Sequence, residues 1–287
     1  MTVTVTPLVD PVQSASGRRL AWLAGGQDGR PLGTAFLWVP AAEAVAELEL
    51  TVHPAERRAG VGKRLLGAAT AAAAEQGMAS LRTEAVARDS AGEQFCRANG
   101  FRTVLALTYT RRPMENGPAA AVPAPGYRLI HWDGMVPDEL AETYARSKRA
   151  MDDMPMGEAA TAPEPWTVER LHFVAGVVAR RGDILCTTAA VAADGEIAGF
   201  TELVVPGDGA GDAQHYGTGV LPGHRGHGLA RWMKAEQINR TRDRFPHLAG
   251  LLADTADDND AMRRVNDLLG YRPTHRSALY QLDVIRP

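Results

Sequence analysis

The stretch VLPGHRGHGLARWMK, Val220 to Lys234, runs from an apolar segment through a glycine-rich loop into the opening of a helix. A strand that hands over to a helix in this way exposes the first unpaired N–H groups of the helix. Glycines let the backbone close around an anion docked on them. A nearly matching stretch, VHPAERRAGVGKRLL from Val52 to Leu66, lies 168 residues earlier. The chain therefore presents the same anion-cradle pattern twice.

Three phosphate-binding loops compete for the pattern. A Walker loop needs Gly, four residues, then Gly-Lys-Ser/Thr; Gly62-Lys63 occurs, but Arg64 follows and position 57 is Arg. The dinucleotide fingerprint needs a third glycine where Leu65 and Arg231 stand. What remains is Arg-x-x-Gly-x-Gly/Ala after Val-x-Pro, met by Arg57-Arg58-Ala59-Gly60-Val61-Gly62 and by Arg225-Gly226-His227-Gly228-Leu229-Ala230.

Working outward, the two loops belong to a repeat. DGRPLGTAFLWVP (Asp28 to Pro40) aligns with DGEIAGFTELVVP (Asp194 to Pro206), and SAGEQFCRANGF (Ser90 to Phe101) with DAMRRVNDLLGY (Asp260 to Tyr271). Asp-Gly between apolar runs predicts a hairpin with a type I′ turn. Val61, Leu65, Leu66, Ala69, Ala72 and Ala73 recur at helical spacing, as do Leu229, Trp232 and Met233. Ser90 with Glu93 reads as a capping box, and Gly100 and Gly270 as helix stops. Each copy thus reads as hairpin, strand, glycine-rich loop, helix, strand, short helix and last strand.

The second copy carries about sixty residues ahead of its hairpin. They hold two expected helices, Pro137 to Met151 and Thr167 to Gly182; the first copy is abridged there. Arg111 to Gly126 is rich in Pro, Ala and Gly without a period. The expected domains are 1–113 and 127–287, with a linker at 114–126.

These two loops, each with its preceding Val-x-Pro, following helix and downstream Gly-aromatic pair (Gly100-Phe101, Gly270-Tyr271), resemble the GNAT superfamily of acyl-CoA-dependent N-acetyltransferases. The resemblance covers both halves. It implies an α/β (α+β) class: two tandem domains, each a mixed, mostly antiparallel sheet flanked by helices, with a splay between the fourth and fifth strands. It implies acetyl-CoA as co-substrate, its diphosphate on the loop amides and its pantetheine arm in the splay. Coenzyme contacts are then expected at Val220, Leu221, Arg225, Gly226, His227, Gly228, Leu229, Ala230, Asn259 and Asn266, and in the first copy at Val52, Arg57, Arg58, Ala59, Gly60, Val61 and Gly62. The layout is similar to that of tandem members whose C-terminal copy works while the N-terminal one supports it.

Many relatives carry a Glu on the fourth strand, six residues before the valine, and a Tyr four residues before the Gly-aromatic pair. This chain has Gln214 and Asn266 there, and Ala46 and Cys96 in the first copy. Acyl transfer still needs a neutral amine, a donor for the developing oxyanion and a proton for the thiolate. Alignment of the reactants supplies part of the rate. The candidate catalytic residues are Glu202, aligned with Phe36 in the abridged copy, and His215 and Gln214, adjacent on the fourth strand. Asp152 and Asp153 could attract a cationic amine from a loop. The expected activity is acetyl transfer to a primary amine of a small molecule by the C-terminal domain. The competing readings are a non-catalytic acyl-CoA sensor, or an O-acyl or longer-chain acyltransferase.

Composition narrows the partners. The 287 residues, 45% hydrophobic and 23% charged with a net charge of −3, carry no basic stripe for nucleic acid and no basic amphipathic segment for a membrane surface. No basic, apolar leader opens the chain and no eighteen apolar residues run together, so a cytoplasmic protein is expected. A monomer or homodimer is expected as well. Cys96 and Cys186 fall in apolar periodic segments and read as buried free thiols. His224 and His227 flank Arg225 without a third ligand nearby, so no metal is expected. His131, His172, His247 and His275 stand alone and read as structural.

Overall fold

The computed structural model describes residues 2–8, 13–14, 16–159 and 165–284. They form two compact units: 1–106 with 157–159 and 277–287, and 107–156 with 160–276.

The first unit contains β1 (Thr4–Leu8), β2 (Gln13–Ser14), β3 (Gly17–Gly25), β4 (Pro31–Pro40), β5 (Val45–Val52), α1 (Val61–Glu75), β6 (Ser80–Thr83), β7 (Val86–Ala87), α2 (Ala91–Ala98) and the start of β8 (Arg102–Pro113). The second takes up β8 at Leu107. It continues through β9 (Tyr127–Asp133), α3 (Asp138–Ser147), α4 (Val168–Arg180), β10 (Ile184–Ala192), β11 (Ile197–Val205), β12 (Gly211–Val220), α5 (Leu229–Arg244), β13 (Leu248–Ala256), α6 (Asp260–Leu268) and the head of β14 (Arg272–Asp283).

In the first unit the strand order is β1, β3, β4, β5, β6, β14; each of these pairs is antiparallel except β5 with β6, which is parallel. In the second it is β8, β13, β12, β11, β10, β9, antiparallel except β12 with β13. The strand beside β6 is thus the tail of β14, from the end of the second repeat. The strand beside β13 is β8, from the end of the first. These units differ from the contiguous division at residues 113 and 127. Pairing across the repeat boundary, which no local pattern encodes, draws the line inside β8 and β14. The stretch 114–126 is packed rather than free: Ala119 exchanges N–H and C=O bonds with the Asn239 amide, and Met114 and Ala124 are buried.

Both expected hairpins form, β3–β4 and β10–β11, but their turns are not type I′. Only the glycines take positive φ, +76° at Gly29 and +90° at Gly195. The aspartates instead accept the amides two residues on, Asp28 from Arg30 and Asp194 from Glu196. These are three-residue loops whose last residue is left-handed. The helices follow their signals closely. Thr167 caps α4 through the Arg170 amide, and Ser90 caps α2 through the Glu93 amide. Pro137 precedes α3, which ends at Ser147 and tightens into a 3-10 turn over Lys148–Met151.

In the first unit, α1 buries Val61, Leu65, Leu66, Ala69 and Ala73 against β3, β4 and β5. In the second, α3 and α4 cover one face of β10 and β11 through Tyr144, Leu171, Ala175 and Val178. The other face receives α5 through Trp232, Met233, Ala235 and Ile238.

Candidate active site

The backbone opens where the site was expected. In the second unit β12 pairs with β13 only from Gly211 to Gln214, opposite Leu248 to Leu252. From His215 to Val220 β12 keeps β11 on one side and parts from β13, while β13 runs on against β8. A bulge at Tyr216 accompanies the parting: Glu202 faces Gly217 and Leu203 faces His215. Backbone groups of β12 beyond Gln214 that do not bond β11 are left to face the gap. The first unit repeats the arrangement, β5 pairing β6 only from Val45 to Leu48.

At the end of β12, Pro222–His224 forms a 3-10 turn and α5 starts at Leu229. Gly226 and Gly228 both take left-handed φ, +82° and +77°. A Cβ added at either would meet nothing within 4 Å, so the space before the helix is open. No side chain caps α5, and the first amide to bond back is that of Trp232, to the Gly228 carbonyl. The amides of Leu229, Ala230 and Arg231 therefore point, unpaired within the helix, at open space with the positive end of the dipole behind them. The loop of the first unit has the same shape. Gly60 at φ +83° opens α1 without a side-chain cap, and Arg58, standing where the second copy has Gly226, is forced to φ +65°. An L-residue held there costs about 1–2 kcal/mol.

The arginines do not reach into the cradle. Arg225 donates through Nε to the Val220 carbonyl at 2.9 Å and grips the Asp153 carboxylate with both terminal nitrogens at 2.6 and 2.7 Å. The pairing holds the Asp153 carboxyl below the usual carboxylate range, mainly through the hydrogen bond from Arg225. Asp153 is thus committed to a cation of the chain rather than waiting for an amine. Arg57 makes the equivalent bond to the Val52 carbonyl at 3.4 Å. His224 meets the Tyr127 hydroxyl through Nδ1 at 3.0 Å, and His227 Nδ1 lies 3.2 Å from the His224 carbonyl. Among the described residues no group of three or more His, Cys, Asp or Glu could hold a metal.

The two faces of the opened strand differ in chemistry. On the α3 face Glu202 is buried, and its Oε1 accepts from the Tyr144 hydroxyl at 2.6 Å and from Lys148 Nζ at 2.5 Å. Lys148 is itself buried, its ammonium over the rings of Phe200 at 4.2 Å, Trp166 at 4.8 Å and Tyr144 at 5.0 Å. Burial lowers its pKa and the neighbouring carboxylate opposes that shift. The other carboxylate oxygen, Oε2, lies 3.5 Å from where a Cβ on Gly217 would stand. Glycine at 217 and 219 lets the Lys148–Met151 turn lie flat on β12, because a Cβ at Gly219 would come within 2.9 Å of the Ala150 Cβ.

On the α5 face His215 is buried, with Nε2 2.6 Å from the Tyr271 hydroxyl and Nδ1 3.3 Å from the Glu202 carbonyl. Burial, reinforced by Lys234, holds its pKa well below the ordinary imidazole value, so the ring stays neutral. Gln214 bonds the His215 carbonyl and Asp254 Oδ1, both at 3.1 Å, across the point where the strands part. Asn259 caps α6 through the Met262 amide, and Asn266 donates to the Thr255 hydroxyl at 3.2 Å. The Asn266 Oδ1 is buried and has no partner. Cys96 and Cys186 are buried free thiols, pushed up to about 11 and about 12, chiefly by burial.

Glu202 and His215, both candidates from sequence, thus stand one residue pair apart along the sheet but on opposite faces. Sequence reasoning missed Tyr144, Lys148 and Trp166 on the first face and Lys234 and Tyr271 on the second. The contrast between copies was the available signal for Lys234, which aligns with Leu66.

The family models agree with this geometry. Residues 19–103 match the acetyltransferase (GNAT) domain model and residues 148–271 the acetyltransferase (GNAT) family model, between them well over half of the chain. The chain belongs to the GNAT acetyltransferases. It carries two such domains in tandem and is an acyl-CoA-dependent acetyltransferase with acetyl-CoA as co-substrate. A curated relative, mycothiol acetyltransferase of Thermomonospora curvata, is 29% identical over 258 residues, spanning 89% of this chain and 80% of that protein. Among solved structures, a tandem GNAT protein from the clavulanic acid biosynthesis pathway superposes with a TM-score of 0.76 at 23% identity, covering 95% of this chain and 85% of that one. A GCN5-related N-acetyltransferase from Sphaerobacter thermophilus gives 0.69 at 17% identity, covering 97% and 84%. No helix among the described residues is long and apolar enough to cross a membrane.

The residues present fit the coenzyme. Uncapped amides and open space at Gly226 and Gly228 suit a diphosphate, and the buried, partnerless Asn266 Oδ1 on α6 is free to accept an amide N–H. One consequence concerns the Arg225–Asp153 pair. Both side chains are about half exposed, so the pair itself adds little stability. Asp153→Asn is expected to free the Arg225 charge for the diphosphate. The dissociation constant for CoA should fall by about two- to fivefold at low salt, with a steeper salt dependence, in titration calorimetry. Weaker binding would mean that the pair shapes the loop instead.

Proposed function

We propose that the C-terminal GNAT domain is the catalytic one and acetylates a primary amine of a small molecule, with the N-terminal domain in a supporting role. The observation that carries this reading is the buried Glu202 carboxylate facing Gly217 where β12 leaves β13, beneath the α3–α4 cover. The N-terminal copy has Phe36 at the aligned position.

In this reading acetyl-CoA, when bound, supplies an activated acetyl thioester. The amides of Leu229, Ala230 and Arg231 hold its diphosphate, and the Asn266 carbonyl oxygen orients the arm. The backbone of β12 past His215 offers N–H donors to the acetyl oxygen as negative charge develops on it. Glu202 Oε2 takes a proton from the incoming ammonium, so that the neutral amine attacks. Tyr144 and Lys148, both on Oε1, keep the other oxygen toward Gly217. The Lys148–Met151 turn, flat on Gly217 and Gly219, keeps water from the reacting carbon.

The relative from Thermomonospora curvata is a mycothiol acetyltransferase, which supports a small-molecule acceptor. The test is release of CoA thiol from acetyl-CoA over a panel of small primary amines and matched alcohols. Turnover with at least one amine, and none with its alcohol counterpart, is expected. Turnover with alcohols alone would favour O-acylation, and none with any acceptor would favour an acyl-CoA sensor.

A further inference from the structure

Lys234 sits on the second turn of α5, 98% buried, and has no hydrogen-bond or ion-pair partner among the described residues. Its ammonium lies 5.1 Å from the centre of the Tyr271 ring. The Tyr271 hydroxyl is in turn 2.6 Å from His215 Nε2, and His215 is the first residue of β12 past its last pair with β13. These three polar groups gather on the α5 face where the strands part.

The tandem copy serves as an internal control. At the positions aligned with Lys234 and Tyr271 the first copy has Leu66 and Phe101, both buried in its core. The fold therefore does not need a cation or a hydroxyl there, and a lone buried ammonium is costly to keep. Its persistence in one copy calls for a partner that arrives with the coenzyme. The group that becomes anionic in this gap during acetyl transfer is the sulfur, and Asn266 stands where relatives carry their tyrosine acid.

We infer that Lys234 protonates the departing thiolate of CoA. As the acceptor nitrogen bonds to the acetyl carbon and the C–S bond breaks, the electron pair of that bond passes to sulfur and Lys234 Nζ gives it a proton. CoA leaves as the thiol. Lys234, now neutral, regains a proton from solvent. Glu202, having passed the ammonium proton to solvent before attack, takes the second N–H proton as the amide forms and passes it on in turn, so that one proton is released net per turnover. The inference rests on the C-terminal domain being the catalytic one.

The groups facing Lys234 are His215 from β12, Asp254 from β13, Tyr271 just before β14 and, beside that residue, Arg112 from β8. Burial dominates and brings the lysine down to about 7, the Asp254 carboxylate opposing the shift. Such an acid is available below neutrality and is lost as pH rises through 7.

The experiment compares wild type with Lys234→Leu, the side chain the first copy tolerates, and with Lys234→Arg, which keeps the charge but cannot give up a proton in this range. Three readouts are taken: kcat and KM against pH, the ionisation of the thiol of bound CoA from thiolate absorbance, and the melting temperature. Lys234→Leu should lower kcat by about a hundredfold, with KM for acetyl-CoA changed by less than about threefold. The fall of wild-type kcat above about pH 7 should be gone from both variants. In wild type and Lys234→Arg the thiol of bound CoA should ionise at lower pH than in Lys234→Leu, a readout that needs no turnover.

Lys234→Leu should also melt higher than wild type. The unfolded chain protonates this lysine up to about 10.4 and the folded chain only to about 7, so wild type gains stability across that window and the gap should narrow from pH 7 to 10. If Lys234→Leu keeps more than a third of kcat with an unchanged pH profile, or if the bound thiol titrates alike in all three proteins, the inference is overturned. Loss of turnover in Gly60→Glu rather than in Gly228→Glu would overturn the underlying reading instead, and the thiol titration distinguishes the two failures.

Discussion

Gly228→Glu is expected to abolish CoA thiol release in the amine assay, while Gly60→Glu leaves most of it. The two glycines are matched in backbone conformation, in place at a helix start and in free space. Each precedes the first residue of a helix at left-handed φ, +77° and +83°, and each has open space where a Cβ would go. Either substitution pays about 1–2 kcal/mol for a left-handed L-residue, partly offset by a carboxylate placed at a helix N-terminus. Differences in folding therefore cancel between the variants. What does not cancel is the cradle's use, because a glutamate there occupies the amides and repels a diphosphate. Binding of CoA to each variant, followed by calorimetry, should show one site lost in Gly228→Glu. Equal loss of turnover in both would overturn the division of labour, and loss in Gly60→Glu alone would reverse it.

The parts of this molecule that could be read from sequence are those whose cause is local. A glycine that must be left-handed, an uncapped helix start and a valine-proline approach all act within a dozen residues, and the repeat prints them twice. The parting of β12 from β13 was reached through the family resemblance. The hairpin turns were legible as turns, but their type depended on Asp28 and Asp194 capping amides rather than adopting positive φ. Packing of 114–126 against Asn239, 120 residues from Ala119, leaves no periodic trace in a stretch of Ala, Pro and Gly. The pairing of β8 with β13 and of β14 with β6 is likewise a property of the folded duplicate. Contrast with Phe36 is what singled out Glu202 as a candidate, and the same contrast between Lys234 and Leu66 was present in the alignment. Tyr144 and Lys148, 58 and 54 residues from Glu202, lie in a segment with no counterpart in the first copy to compare.

The second large effect is expected at Glu202, where loss of the proposed base must be told apart from loss of a buried ion-pair partner. Glu202→Gln should lower kcat by about 10²- to 10⁴-fold, the range for loss of a positioned base. It also strands Lys148, 3% exposed and enclosed by aromatic rings, without its counter-charge. Breaking a buried pair from one side costs about 3–5 kcal/mol, enough to lower activity through unfolding alone. Removing both charges together separates the two contributions. Glu202→Gln with Lys148→Met replaces the ion pair by an amide and an apolar chain that packs against Phe200 and Trp166, and pairs replaced in this way are often neutral in stability. The melting temperature should therefore recover toward wild type in the double variant while kcat stays at the level of Glu202→Gln. Lys148→Met alone leaves the carboxylate with only the Tyr144 hydroxyl, so it should retain more turnover than either variant lacking the acid. Recovery of kcat along with melting temperature in the double variant would show that Glu202 holds the fold beneath β12 and takes no proton from the acceptor.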